Sequence, residues 1–274
     1  MHFVVLVKQV PDTAEVRLDP VTNTLDRSSA PAIMNPYDAH ALEEAVRLKN
    51  RYGGKVTVVS MGPPQAVSTM KEAVEMGADE TVLISDRAFA GSDTLATSYA
   101  LTQAIRKVAE SEPVDIVFAG KMAIDGDTAQ TGPGVARRLN IPPLTGVNKI
   151  QDLDVKNKTI TVHRKIEDGY EVVQSTLPCL ITVDKDINDL TYSPLPNMIR
   201  AARYNPIVWT INEMEVDREQ LGLKGSPTVV GKIFAPPKMS GGEKFTGNAD
   251  DMVNKTMKVI LERTFLGRSN KGGE

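Results

Sequence analysis

Four short runs rich in β-branched and apolar residues, at positions 3–7, 55–60, 81–84 and 114–119, alternate with stretches whose apolar residues recur at helical spacing. That alternation limits the possible folds more than any other feature, because strands returned by helices to the same edge line up as a parallel sheet. The expectation is an α/β protein: an open, mainly parallel sheet with helices on both faces.

The helix after the first strand is sharply specified. Asn35 is placed to act as N-cap, Pro36 suits the first helical position, and Asp38 puts negative charge in the first turn. Leu42, Ala45, Val46 and Lys49 share a face. A second helix, 64–75, carries Ala66, Met70, Ala73 and Val74 on one side, with Gly77 as its stop. A third, 93–110, carries Ala96, Ala100, Ile105 and Val108. Beyond Leu144 the period changes. Residues 150–155, 159–166 and 170–176 read as strands joined by Lys156-Asn157-Lys158 and by a turn at Asp168-Gly169, an antiparallel meander, and 179–183 is a further strand. Pro194, Pro196, Pro206, Pro227, Pro236 and Pro237 then interrupt the chain and disfavour another regular sheet domain. A last helical stretch, 250–265, sets Val253, Met257, Ile260, Leu261 and Thr264 near one stripe that a partner could cover.

Composition removes several classes of function. A net charge of −3 gives no cause to invoke nucleic acid or an anionic membrane. The single cysteine, Cys179, allows no internal disulfide, suits a reducing compartment and reads as a core residue. With three scattered histidines, His2, His40 and His163, it cannot supply a metal cluster. Redox chemistry would therefore come from an organic cofactor. The apolar amino-terminal run is too short for a signal peptide, and no segment approaches the roughly 20 apolar residues of a membrane span. The expected location is the cytoplasm.

The polar loop Gly120-Lys121-Met122-Ala123-Ile124-Asp125-Gly126-Asp127-Thr128-Ala129-Gln130-Thr131-Gly132-Pro133 follows the fourth strand and opens a new helix. Ligands in open α/β sheets sit at such strand ends, and the free N–H groups of a helix start favour phosphate. A solvated turn with a helix cap fits the same residues. Strand ends supply three more candidate loops, from Leu6 to Lys8, from Asn35 to Asp38, and from Ser60 to Pro63; converging, the four could enclose one adenylate. Asp93, Thr94 and Thr97 begin the third helix, where Asp93 suits a phosphate site or a plain N-cap. Lys121 suits a phosphate or a snorkelling surface position. Lys8-Gln9-Val10-Pro11-Asp12-Thr13 stands where a Gly-x-Gly-x-x-Gly turn would be, and no Walker loop is present, so a standard NAD dehydrogenase or P-loop enzyme is disfavoured. An ATP-hydrolysing protein on a similar sheet is disfavoured too, as no catalytic base can be named.

Taken together, several motifs resemble the small (beta) subunit of electron transfer flavoproteins. They are Val5-Leu6-Val7-Lys8-Gln9-Val10-Pro11-Asp12, Met34-Asn35-Pro36-Tyr37-Asp38, the loop from Gly120 with Gln130-Thr131-Gly132, and Val162-His163-Arg164-Lys165-Ile166-Glu167-Asp168-Gly169-Tyr170-Glu171 running on to Val183. The resemblance covers most of the chain and implies a Rossmann-like, adenine-nucleotide-binding sheet. It implies an alpha subunit holding one FAD, and in this chain a second nucleotide contacted by Leu6, Asn35, Pro36, Tyr37, Asp38, Ser60, Met61 and the loop from Gly120 to Thr131. That nucleotide is AMP in one branch. In the electron-bifurcating branch it is FAD, reduced by NADH, and Asp38 with Asp93, Thr94 and Thr97 favours that branch. His163 and Arg164 could neighbour a flavin ring or form a solvated sheet face. The stretch 191–203 resembles the family's recognition loop for acyl-CoA dehydrogenases, with Leu195 as apolar anchor; a buried linker residue is the alternative. The implied organisation is a nucleotide-binding domain over 1–190, followed by a recognition loop and an arm over 191–274 that packs on the alpha subunit.

Overall fold

A computed structural model describes residues 1–12, 17–18, 25–26, 31–229, 231 and 242–263. Thr13, Pro236, Pro237, Thr264 and the end of the last expected helix lie outside them. By packing, the chain divides into a unit spanning Met1–Ile233 and a unit spanning Phe234–Glu274.

The first unit opens with β1 (His2–Leu6), followed by β2 (Gln9–Pro11), β3 (Arg17–Leu18), β4 (Leu25–Asp26) and β5 (Ala32–Met34); β2 pairs with β5 and β3 with β4 in small antiparallel ribbons. Next come α1 (Pro36–Tyr52), β6 (Lys55–Met61), α2 (Val67–Met76), β7 (Glu80–Ile84), α3 (Thr94–Ala109), β8 (Ile116–Gly120) and α4 (Thr131–Leu139). The meander follows as β9 (Pro143–Asp154), β10 (Thr159–Ile166) and β11 (Gly169–Thr176), then β12 (Cys179–Val183), α5 (Leu195–Arg203) and β13 (Ile207–Trp209). Among the described residues these strands form a nine-stranded sheet in the order β11-β10-β9-β12-β8-β1-β6-β7-β13. Only the pairs β9–β10 and β10–β11 are antiparallel.

Period two in β1 explains why helices cover both faces. Phe3 and Val5 join α1 and α2 in one core, whereas Val4 and Leu6 join α3 and α4 in the other. Phe3 and Phe118 meet with ring centroids 6.4 Å apart, and burying such a side chain contributes about 1.5–3 kcal/mol. Cys179 is buried in the first core, as expected, and burial pushes its thiol up to about 12.

Three features differ from the sequence expectations. β9 begins at Pro143, because its first half pairs in parallel with β12 before its second half turns into the meander. α5 and β13 form in the proline-rich stretch: Pro194 and Pro196 start the helix rather than break it, and β13 adds a strand beside β7. Asn35 occupies the N-cap position of α1, yet its side chain makes no capping bond. Among the described residues no helix is long and apolar enough to cross a membrane.

In the second unit, α6 (Ala249–Arg263) leaves Val253, Met257 and Leu261 exposed.

Candidate functional site

Chain order fixes where a ligand crevice opens. From β1 the chain proceeds to β6 and β7 on one side, then crosses to β8 on the other, so the sheet's switch point lies between β1 and β8. The loops leaving those two strands diverge there. Lys8 follows β1 there, and the segment 121–130 follows β8.

Asp38, in the first turn of α1, spans the opening. Its Oδ2 accepts the Lys8 N–H at 2.8 Å and its Oδ1 accepts the Gly120 N–H at 3.0 Å. Burial pushes the Asp38 carboxyl up to about 7, against these amide hydrogen bonds and the Lys8 charge, which pull it down. Gly120 is required by the approach: a Cβ there would lie 2.4 Å from Asp38 Oδ1 and 2.6 Å from Tyr37 Cβ.

Asn35 serves the same loop. Its Nδ2 donates to Met122 O at 2.9 Å and its Oδ1 accepts Ile124 N–H at 3.1 Å, so the side chain that could have capped α1 instead holds residues 122–124. Lys8 Nζ reaches Asp125 at 2.6 Å. The first half of the loop is thus tied at both faces. Its second half, Gly126 to Gln130, is exposed, and Asp127 and Ala129 hold left-handed φ values of 49° and 54°. Non-glycine residues in that region store strain and cluster at ligand sites.

A second helix start lies against the first. Thr94 Oγ1, at the start of α3, donates to Gln130 Oε1 at 2.8 Å, next to the start of α4. Gly134 makes the approach possible, since a Cβ there would lie 2.9 Å from Ser98 Cβ. The α4 start has no side-chain cap. Asp93 is the N-cap of α3, with Oδ1 accepting Leu95 and Ala96 N–H. Its Oδ2 accepts the N–H and hydroxyl of Thr228, and Ser226 Oγ accepts the Asp93 N–H. Burial raises the Asp93 carboxyl, but the Ala96, Thr228 and Leu95 bonds outweigh it and hold the group below the usual range. Both of its oxygens are therefore committed to protein donors. Nothing in the local sequence marks Ser226 or Thr228, whose partner lies 133 and 135 residues earlier.

The other expected residues fall into place around this core. Leu6 ends β1 and Ser60 and Met61 end β6; the Ser60 hydroxyl is buried with no hydrogen-bond partner among the described residues. Thr97 lies on the first turn of α3, half-buried, while Thr128 is exposed and Thr131 begins α4. Pro36 is the first residue of α1, and Lys185 Nζ sits 4.6 Å from the Tyr37 ring centroid. Lys121 Nζ pairs with Asp184 at 3.1 Å. His163 stacks on Tyr170 and meets Gln151, and Arg164 meets Thr145 and Glu171. Leu195 lies apart from the crevice, as the first residue of α5, and is 67% exposed rather than buried.

The fold is that of a doubly wound α/β protein whose strand-end segments, Lys8, 35–38 and 120–124, are bonded together at its switch point. Residues 22–213 match the family model described as the electron transfer flavoprotein domain. The chain is 49% identical to Protein FixA of Azotobacter vinelandii over 98% of its own length and 96% of the relative's. It is 47% identical to the electron transfer flavoprotein subunit beta of Thermoanaerobacterium thermosaccharolyticum over 96% and 99%. The corresponding subunit of Clostridium acetobutylicum is 51% identical over 89% and 91%. The chain belongs to the electron transfer flavoprotein family, as a beta subunit.

Proposed function

We propose that this beta subunit pairs with an alpha subunit and holds FAD in the switch-point crevice, carrying electrons from NADH toward an acyl-CoA dehydrogenase by bifurcation. The observation that carries this reading is the Thr94–Gln130 bond, which brings two helix N-termini to one edge of the sheet. The uncapped start of α4 suits one phosphate, and the Thr94–Gln130 junction sets further polar groups beside it for the diphosphate of a dinucleotide. The residues fit an adenine nucleotide on further grounds. Ser60 offers a buried hydroxyl with no partner among the described residues at a strand end, and residues 126–130 are exposed.

Bound there, a flavin would supply hydride and single-electron chemistry that no side chain of this protein provides. The chain's own residues would bind and orient it. The amide groups at the uncapped start of α4 would meet negative charge, Thr94 and Thr97 would lend hydroxyls, and the α1 start would set the depth of the cleft. Leu195, exposed at the start of α5 beside Met198 and Ile199, would anchor the dehydrogenase. The apolar residues of α6 would be covered by the alpha subunit.

The deciding experiment is to denature the purified two-subunit complex and identify every nucleotide released. Two FAD per heterodimer supports the proposal. One FAD with one AMP replaces bifurcation by a structural nucleotide and a docking role, the second reading that the same crevice allows. A complex without any nucleotide from the beta subunit rejects both.

A further inference from the structure

We infer that Asp38 is a positioning residue: its carboxylate acts on the nucleotide crevice through the two strand ends it joins, not by touching the ligand. This rests on the crevice being the nucleotide site. Where β1 and β8 run together, Leu6 pairs with Ala119 and the sheet supplies every backbone partner. Beyond that pair β1 and β8 part, with Gly120 one residue further and Lys8 two, and the ladder between them offers neither N–H an acceptor. Asp38 supplies both, with one oxygen on each strand end. The carboxylate is buried, at 7% exposure, with Gly120 and the Tyr37 backbone packed close around it. Each oxygen is engaged by a backbone N–H of the protein.

Geometry makes this bridge the hinge of the loop that follows. Gly120 is the last residue before the segment 121–130, so the Asp38–Gly120 bond sets the direction in which that segment leaves the sheet. On the opposite wall, Lys8 has three ties: its N–H to Asp38, its carbonyl accepting the Asn35 N–H at 2.8 Å, and its ammonium to Asp125. Removing the carboxylate frees both amide groups at once and leaves only Asn35 and the Lys8–Asp125 pair, which act further along the loop, to hold the walls together. Asparagine in its place keeps one acceptor oxygen and turns the other into a donor facing an N–H, so it breaks one of the two links.

The test compares wild-type, Asp38→Ala and Asp38→Asn proteins, each co-purified with the alpha subunit. Hydrogen exchange of peptides covering 118–126 is followed at pH 8, where Asp38 is ionised, together with the dissociation constants of AMP and FAD, all well below the unfolding temperature. Expected is exchange about tenfold faster or more in the alanine variant and an intermediate increase for asparagine, since each lost bond to a charged acceptor is worth about a factor of ten. Nucleotide binding should weaken in the same order, while exchange across β10 and β11 stays unchanged. Weakened binding with unaltered exchange at 118–126 would overturn the inference and make Asp38 a direct ligand. So would faster exchange with unaltered affinity, which would reduce the residue to a local structural tie. Should the alanine variant fail to fold, the asparagine variant alone decides between these outcomes. Exchange in the nucleotide-free protein separates failure of this inference from failure of the nucleotide assignment, because the bridge is made by protein groups alone.

Discussion

Thr94 and Gln130 share a 2.8 Å hydrogen bond although 36 residues separate them, and through it the start of α3 is joined to the loop that opens α4. Thr94→Val keeps the shape and deletes the donor. If this junction serves a diphosphate, the variant complex will bind FAD about tenfold more weakly with little change in melting temperature. Equilibrium dialysis of the deflavinated complex measures this directly, and unchanged FAD affinity would remove the junction from the site.

Gly120→Ala tests the packing beneath the crevice. The new methyl would meet Asp38 Oδ1, Tyr37 Cβ and the Tyr37 backbone, none of which can yield without moving α1. A loss of about 1–3 kcal/mol is expected from urea unfolding, as for other overpacked positions.

Leu195→Glu should separate docking from folding. The side chain is 67% exposed, so stability should stay within about 0.5 kcal/mol of wild type. Electron delivery to an acyl-CoA dehydrogenase should fall about tenfold or more, with a raised KM for the dehydrogenase. Unchanged steady-state kinetics would move the docking surface elsewhere.

Asp38 also predicts a pH dependence with a definite sign. Its folded pKa of about 7 lies above the ordinary carboxylate value, so between about pH 4 and pH 7 the folded protein holds a proton that the unfolded chain releases. This group's contribution is greatest below that window and is lost as pH rises through 7, at up to about 1.4 kcal/mol per pH unit. Asp184 has the opposite sign. Burial raises its carboxyl, but Lys121 and the Lys185 amide outweigh this and hold it low, so its contribution is present at neutral pH and lost on acidification. Urea unfolding of wild type and Asp38→Asn from pH 5 to 8 isolates the first effect: wild type should lose stability relative to the variant as pH rises. A pH-independent difference would show that Asp38 keeps one protonation state throughout.

Much of the framework was legible from residue order. The strands β1, β6, β7 and β8, the helices α1, α2 and α3, and the Gly77 stop all follow from short-range patterns, because periodicity and capping act over a few residues. The meander was legible for the same reason, except at Pro143, where β9 is recruited early by β12 from across the sheet. β13 was not legible: Ile207, Val208 and Trp209 form a strand only because the edge of β7 is there to pair with.

At the site the division is sharper. Residue order alone placed Asn35, Asp38 and the Gly120–Thr131 loop at strand ends, since that depends only on which strand each follows. It read the Asn35 side chain as a cap, the local choice, and left open whether Asp93 was a cap or a ligand. The tertiary fold turned Asn35 toward Met122 and Ile124, gave Asp38 two amides from different strands, and brought Thr228 to Asp93. Those bonds join residues roughly 30 to 135 positions apart, and a buried polar group takes whichever partner the packed chain brings within reach.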